Sequence, residues 1–201
     1  MAERPKRENW QDSPPRNWAE REAHRLSLVI QELRRGRSAQ WLSDRTDELG
    51  HRVSRSVISD LETGRRRYLT TVELAVMAAA LNTSPVALVY PNPSDDLLNL
   101  VEVLPGVQAT GFQAAQWFSG ERPGFTDSVA GSEAARVRAE FRENTRLLRL
   151  WRQIADLRER QMQHSHTGAD GRLTDAQREL IEQYQRQIDQ LQHELGIDHD
   201  V

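Results

Sequence analysis

The chain has 201 residues, a formal net charge of -3, 37% hydrophobic and 28% charged residues, and no cysteine. Disulfides, thiolate catalysis and cysteine zinc sites are therefore excluded, and no apolar run reaches the ~18 residues that a membrane-spanning helix needs. Residues 1–90 carry 15 Lys and Arg against 12 Asp and Glu, whereas residues 91–201 carry 12 against 18, so the first half suits a polyanionic partner and the second would be repelled by one.

The N-terminus, MAERPKRENW, lacks the apolar core of a signal peptide, and a soluble cytoplasmic protein is expected. Residues 1–18, punctuated by Pro5, Pro14 and Pro15, read as a flexible arm whose Arg4, Lys6 and Arg7 are either solvated or in reach of phosphates. From about Glu20 to Arg35, Leu26, Val29, Ile30 and Leu33 fall on one face of a helix, which Gly36 stops. Ser38 caps a second helix carrying Trp41, Leu42 and Leu49, ended by Gly50. Ser54 caps a third, with Val57, Ile58 and Leu61 inward and Gly64 as its stop. Thr70 or Thr71 opens an alanine-rich fourth, and Ser84-Pro85 a short fifth with proline in the first turn. Residues 19–92 thus predict a compact five-helix domain.

Beyond it, residues 93–131 read as two short helices and a linker, with Leu97, Leu98, Leu100, Val101, Phe112, Trp117 and Phe118 available for packing. Residues 132–201 predict a long helix over about 132–163, a glycine-rich break, and a helix opened by the capping-box spacing of Thr174 to Gln177. The pair reads as an antiparallel αα-hairpin. In the second helix Ile181, Tyr184, Ile188, Leu191 and Leu195 step by threes and fours, a two-heptad seam. That seam either packs within the chain or joins two chains or a protein partner. The fold class expected is all-α.

The segment VSRSVISDLETGRRR, residues 53–67, is the one that points to function. A capped helix around Trp41-Leu42, a turn, and a capped helix ending in Glu62-Thr63-Gly64 have the layout of a helix-turn-helix. With Val53-Ser54-Arg55-Ser56, Ile58, Leu61-Glu62-Thr63-Gly64-Arg65-Arg66 and the following TVELAVMAAALNTSPVALVY, the stretch from about Leu26 to Tyr90 resembles the lambda-repressor-like, or XRE-type, helix-turn-helix family. The resemblance implies that the third helix lies in the DNA major groove. Arg55, Ser56, Ser59 and Asp60, outside its apolar face, are the candidate base readers. Arg55 suits guanine O6 and N7, and Asp60 is expected to brace Arg55, with acceptance from a cytosine amino group as the alternative. Ser54, at the partly positive helix N-terminus, with Arg65, Arg66 and Arg67 past its end, forms the candidate phosphate contact set. Arg37, Ser38 and Arg45 on the preceding element are further backbone candidates, and Glu62 reads as structural. Two departures from the family pattern stand out. Ala39 occupies the family's usual glutamine position, with Gln40 displaced by one, and DELGHR lengthens the turn, either extending the second helix or tilting the third. His51 in that turn reads as a surface residue or a backbone contact.

No nucleophile-base-acid arrangement, P-loop or dinucleotide glycine pattern appears, so neither an enzyme nor a cofactor is expected. His164, His166 and Asp170, and Asp198-His199-Asp200, lie in polar contexts that do not hold donors in a metal geometry. Phe112, Trp117 and Phe118 read as core, with a small-molecule pocket as the alternative. The expectation is a DNA-binding transcriptional regulator, a repressor acting as a homodimer on a two-fold operator with reading helices about 34 Å apart. The competing expectation is an adaptor or antitoxin-like protein whose C-terminal helices bind a protein partner.

Overall fold

Local capping chemistry starts most of the helices. A computed structural model of the chain describes residues 9–125, 131–165 and 173–197. These fall into two compact units, one ending at Ser119 and the other beginning at Gly120. The first contains α1 (Trp18–Leu33), α2 (Ala39–Glu48), α3 (Arg55–Thr63), α4 (Thr71–Ala80) and α5 (Pro85–Val89). Ser38, Ser54, Thr70 and Ser84 each accept a hydrogen bond from a first-turn amide, and Glu73 completes a capping box with Thr70. Such caps satisfy donors a helix start leaves open. The core joins Ile30, Leu42, Ile58, Leu61, Met77 and Leu88, all fully buried. The lengthened turn is absorbed by α2, which runs on to Glu48. Gly50 then turns the chain at φ +85, and the Val53 amide donates to the Thr46 hydroxyl at 2.9 Å.

Residues 9–17 are not a flexible arm. Trp10 lies with its ring against Gly64, its indole N–H donating to the Leu61 carbonyl (3.3 Å) and its backbone N–H to the Thr63 carbonyl (2.9 Å). Arg4, Lys6 and Arg7 lie outside the described residues.

The first of the two short helices expected over 93–131 is instead a turn followed by a strand. β1 (Leu100–Leu104) pairs antiparallel with β2 (Val107–Thr110), Val101 opposite Ala109 and Glu102 opposite Gln108, around a turn in which Gly106 takes φ +78. Val101, Val103 and Val107 are β-branched and favour this pleat. Thr110 ends β2 and caps α6 (Gly111–Phe118) while donating to Asp95 at 2.7 Å. The hairpin is tied to α1, where the Trp18 indole donates to the Glu102 carbonyl and Arg21 pairs with the Glu102 carboxylate. In α6 the buried residues are Ala114 and Ala115, whereas Phe112 and Phe118 are exposed, as are Leu97 and Leu98. Phe112 and Phe118 therefore do not form the core expected of them, whereas Trp117 is half-buried.

The second unit holds α7 (Gly131–Asn144), α8 (Arg146–His164) and α9 (Asp175–Glu194). The single long helix expected here is broken at Thr145 (φ -105, ψ 7), whose hydroxyl donates back to the Phe141 carbonyl at 2.7 Å. A threonine bonded to the carbonyl four residues earlier bends a helix, and Asn144 beside it is a poor helix former. α8 and α9 form the expected antiparallel pair. Arg146 donates to the Glu194 carbonyl, Gln161 to the Gln185 side chain, and the His164 and Tyr184 rings lie 6.0 Å apart. Ile154 and Ile188 are buried; Ile181, Tyr184, Leu191 and Leu195 are half-buried. The α9 seam thus packs within the chain, against α8. The fold is multi-helical, with one two-stranded hairpin among the described residues. None of its described helices is long and apolar enough to cross a membrane.

Candidate nucleic-acid interface

The sequence of α3 divides it into an anchored face and an open one. Ile58 and Leu61 are fully buried, and Gly64 ends the helix at φ +83. Burying those two side chains contributes about 2 kcal/mol each, which fixes the helix and the residues it presents. Ser54 accepts from the Val57 amide at 3.3 Å, and its hydroxyl lies 2.9 Å from that of Ser56. Arg55 and Ser56 are exposed, Ser59 and Asp60 half-buried. Arg55 makes no side-chain hydrogen bond or ion pair among the described residues. The expected brace from Asp60 is absent. Asp60 lies 3.7 Å from Arg65 instead, and its carbonyl accepts from the Arg66 amide. Positions five apart diverge around a helix, since facing pairs are three or four apart. The chain beyond Gly64, by contrast, folds back over the last turn.

The three arginines after α3 have separate roles. Arg65 is exposed, with 53% of its side chain accessible. Arg66 donates to both Glu73 oxygens (2.5 and 2.9 Å) and lies over the Tyr68 ring, with about 15% of its side chain accessible. Arg67 pairs with Glu20 at 2.8 Å, donates to the Ser13 and Gly64 carbonyls, and lies over the Trp10 ring. Arg66 and Arg67 are therefore corrections to the phosphate set: partners supplied by α4, α1 and the N-terminal segment hold them inside the fold. Truncating the Arg66–Glu73 pair leaves a largely buried charge uncompensated, which destabilises the fold. Burial pushes the Glu73 carboxyl up, but hydrogen bonds from Arg66 and Thr70 outweigh it and hold the group below the usual carboxylate range. The Glu20 carboxyl is also held low, first by the Arg16 amide and then by Arg67. Glu62 is structural, as expected, paired with Arg34 at 2.7 Å.

Of the earlier backbone candidates, Arg37 and Ser38 lie at the start of α2 and Arg45 in its last turn. Ser38 accepts from the Trp41 amide at 3.1 Å. Arg37 donates to the Arg34 and Leu33 carbonyls and lies 3.7 Å above the Trp41 ring, and Arg45 pairs with Glu48. His51 is exposed beside Leu49, Val72 and Ala75 in an apolar groove. Trp10 and Arg35 were not anticipated at this surface. An aromatic residue inside a proline-rich polar stretch was the available signal for Trp10. No group of three acidic or histidine side chains suited to a metal occurs among the described residues; His166, Asp170 and residues 198–200 lie outside them. Comparison with protein-family models, with curated proteins and with solved structures returns no match.

Proposed function

We propose that the first unit is a sequence-specific DNA-binding domain that inserts α3 into the major groove, and that the chain is a transcriptional regulator, a repressor binding a two-fold operator as a homodimer in the cytoplasm. The observation that carries this reading is Arg55. Among the described residues it has no side-chain partner, on the first turn of a serine-capped, core-anchored helix, while Arg34, Arg66 and Arg67 nearby are held in ion pairs. An extended guanidinium presents paired donors suited to the guanine O6/N7 edge. The α2–turn–α3 arrangement supports the resemblance to lambda-repressor-like regulators, and Arg65, Ser54 and the α2 start supply the flanking phosphate contacts. Fluorescence anisotropy of the full chain on labelled random-sequence duplex tests the first step. Affinity is expected to fall linearly in log-log form with salt, since released counterions scale with contacted phosphates. Salt-independent or undetectable binding contradicts it.

The second reading, an adaptor or antitoxin-like protein, is favoured by α8, where Leu147, Leu148 and Trp151 remain exposed by 56%, 46% and 46%. A stable complex of the full chain with a second protein, unaffected by Arg55→Ala and formed without duplex, would support it over the first.

A further inference from the structure

The α1–α2 turn, the first turns of α2 and the α4–α5 turn border an open cleft of about 590 Å³. Three arginines line it, Arg35, Arg37 and Arg45, together with Trp41, Asn82 and Thr83. Among the described residues no carboxylate lines the cleft, nor does any residue of α3.

The arginines are prepared to different degrees. Arg37 is fixed, its Nε and Nη2 donating to helix-end carbonyls and its guanidinium plane over Trp41. Arg45 is engaged by Glu48, but both side chains are largely exposed, and a pair so placed contributes little and yields to a better partner. Arg35 makes no side-chain hydrogen bond or ion pair among the described residues. It is held at φ +50, and Asn82 across the cleft at φ +55. Both are the first residue past a helix C-cap, of α1 and of α4, where the left-handed conformation ends the helix. The side chains of Arg35 and Arg45, with the Asn82 amide and the Thr83 hydroxyl lining the same cleft, match a group offering several anionic oxygens around one centre.

We propose that this cleft binds a phosphate group, distinct from whatever α3 contacts. That phosphate belongs either to a duplex backbone or to a free phosphorylated small molecule, and the two sources separate experimentally. The full chain would be titrated with inorganic pyrophosphate at ionic strength held constant with chloride, followed by calorimetry and tryptophan fluorescence. Saturable binding is expected, weakened about tenfold or more by Arg35→Ala and by Arg45→Ala, the loss typical of a charged hydrogen bond. Both replace exposed side chains, and unchanged melting would verify the fold. Arg55→Ala should leave pyrophosphate binding unchanged. Displacement of pyrophosphate by random-sequence duplex assigns the cleft to backbone phosphate; simultaneous binding, or pyrophosphate binding by a chain that takes no duplex, assigns it to a free ligand. Absence of saturable binding, binding indifferent to Arg35→Ala and Arg45→Ala, or equal loss in Arg55→Ala overturns the proposal. None of these results bears on duplex binding by α3, which the salt titration measures separately.

Discussion

Arg55 and Arg66 belong to the same basic stretch, yet their surroundings give them opposite roles. Arg66 is locked to Glu73, and Arg55 is exposed with no side-chain partner among the described residues. Arg55→Ala should leave thermal stability unchanged while costing about 1–3 kcal/mol of affinity at one base position, read by binding to single-position site variants. Arg66→Ala should instead destabilise the fold by about 3–5 kcal/mol, read by urea denaturation. Arg65→Ala should weaken all sequences alike and flatten the salt slope, because Arg65 is the exposed member of the run. The Glu73 carboxyl adds a pH signature. Its folded-state pKa lies below the unfolded value of about 4.3. Its contribution is therefore fully present above that value and is lost as pH falls through the folded pKa. Glu73→Gln should lower stability at neutral pH and flatten the acid limb of the stability profile. An acid limb as steep as in the unsubstituted chain would remove Glu73 from the account.

At the scale of elements, what was legible in the sequence was local. Ser38, Ser54, Thr70 and Ser84 cap where their spacing says they should, because a cap is decided within four residues. Long-range partners were not legible. Nothing near Arg67 announces Glu20 or the Ser13 carbonyl, and nothing near Trp10 announces Gly64. The β1–β2 hairpin was missed because a short apolar run, LLNLVEVL, fits a helix or a strand by periodicity alone. The β-branched valines and the Pro105-Gly106 turn decide it. The break at Thr145 depends on one side-chain hydrogen bond, which composition does not reveal. Contact between Trp10 and the end of α3 gives an element-level prediction. Gly64→Ala would place a Cβ 2.5 Å from the Trp10 ring and a non-glycine residue at φ +83. The backbone strain alone costs about 1–2 kcal/mol. Trp10→Ala, removing a half-buried ring, should cost about 2 kcal/mol, below the full core value. The double variant should be less destabilised than the sum of the two, since removing the ring relieves the clash. Strict additivity in urea melts would mean that Trp10 does not pack there.

Across the whole molecule, the division of labour follows charge and surface. The first unit carries the open arginine of α3 and the basic cleft. The second buries its α9 seam against α8 and leaves Leu147, Leu148 and Trp151 outward. If the chain pairs on a two-fold operator, the exposed apolar face of α8 is the surface this arrangement offers for its dimer contact. Light scattering should then report twice the 23.1 kDa chain mass, and Trp151→Glu on the exposed α8 face is expected to return the monomer. The most direct test of the central claim is selection of bound duplexes from a random pool by the full chain and by Arg55→Ala. The unsubstituted chain should recover a two-fold site with half-sites about one helical turn apart, and Arg55→Ala should lose the preference at one position of each half-site. Recovery of no enriched site, or of the same site by both proteins, would contradict the assignment of α3 as the reading helix.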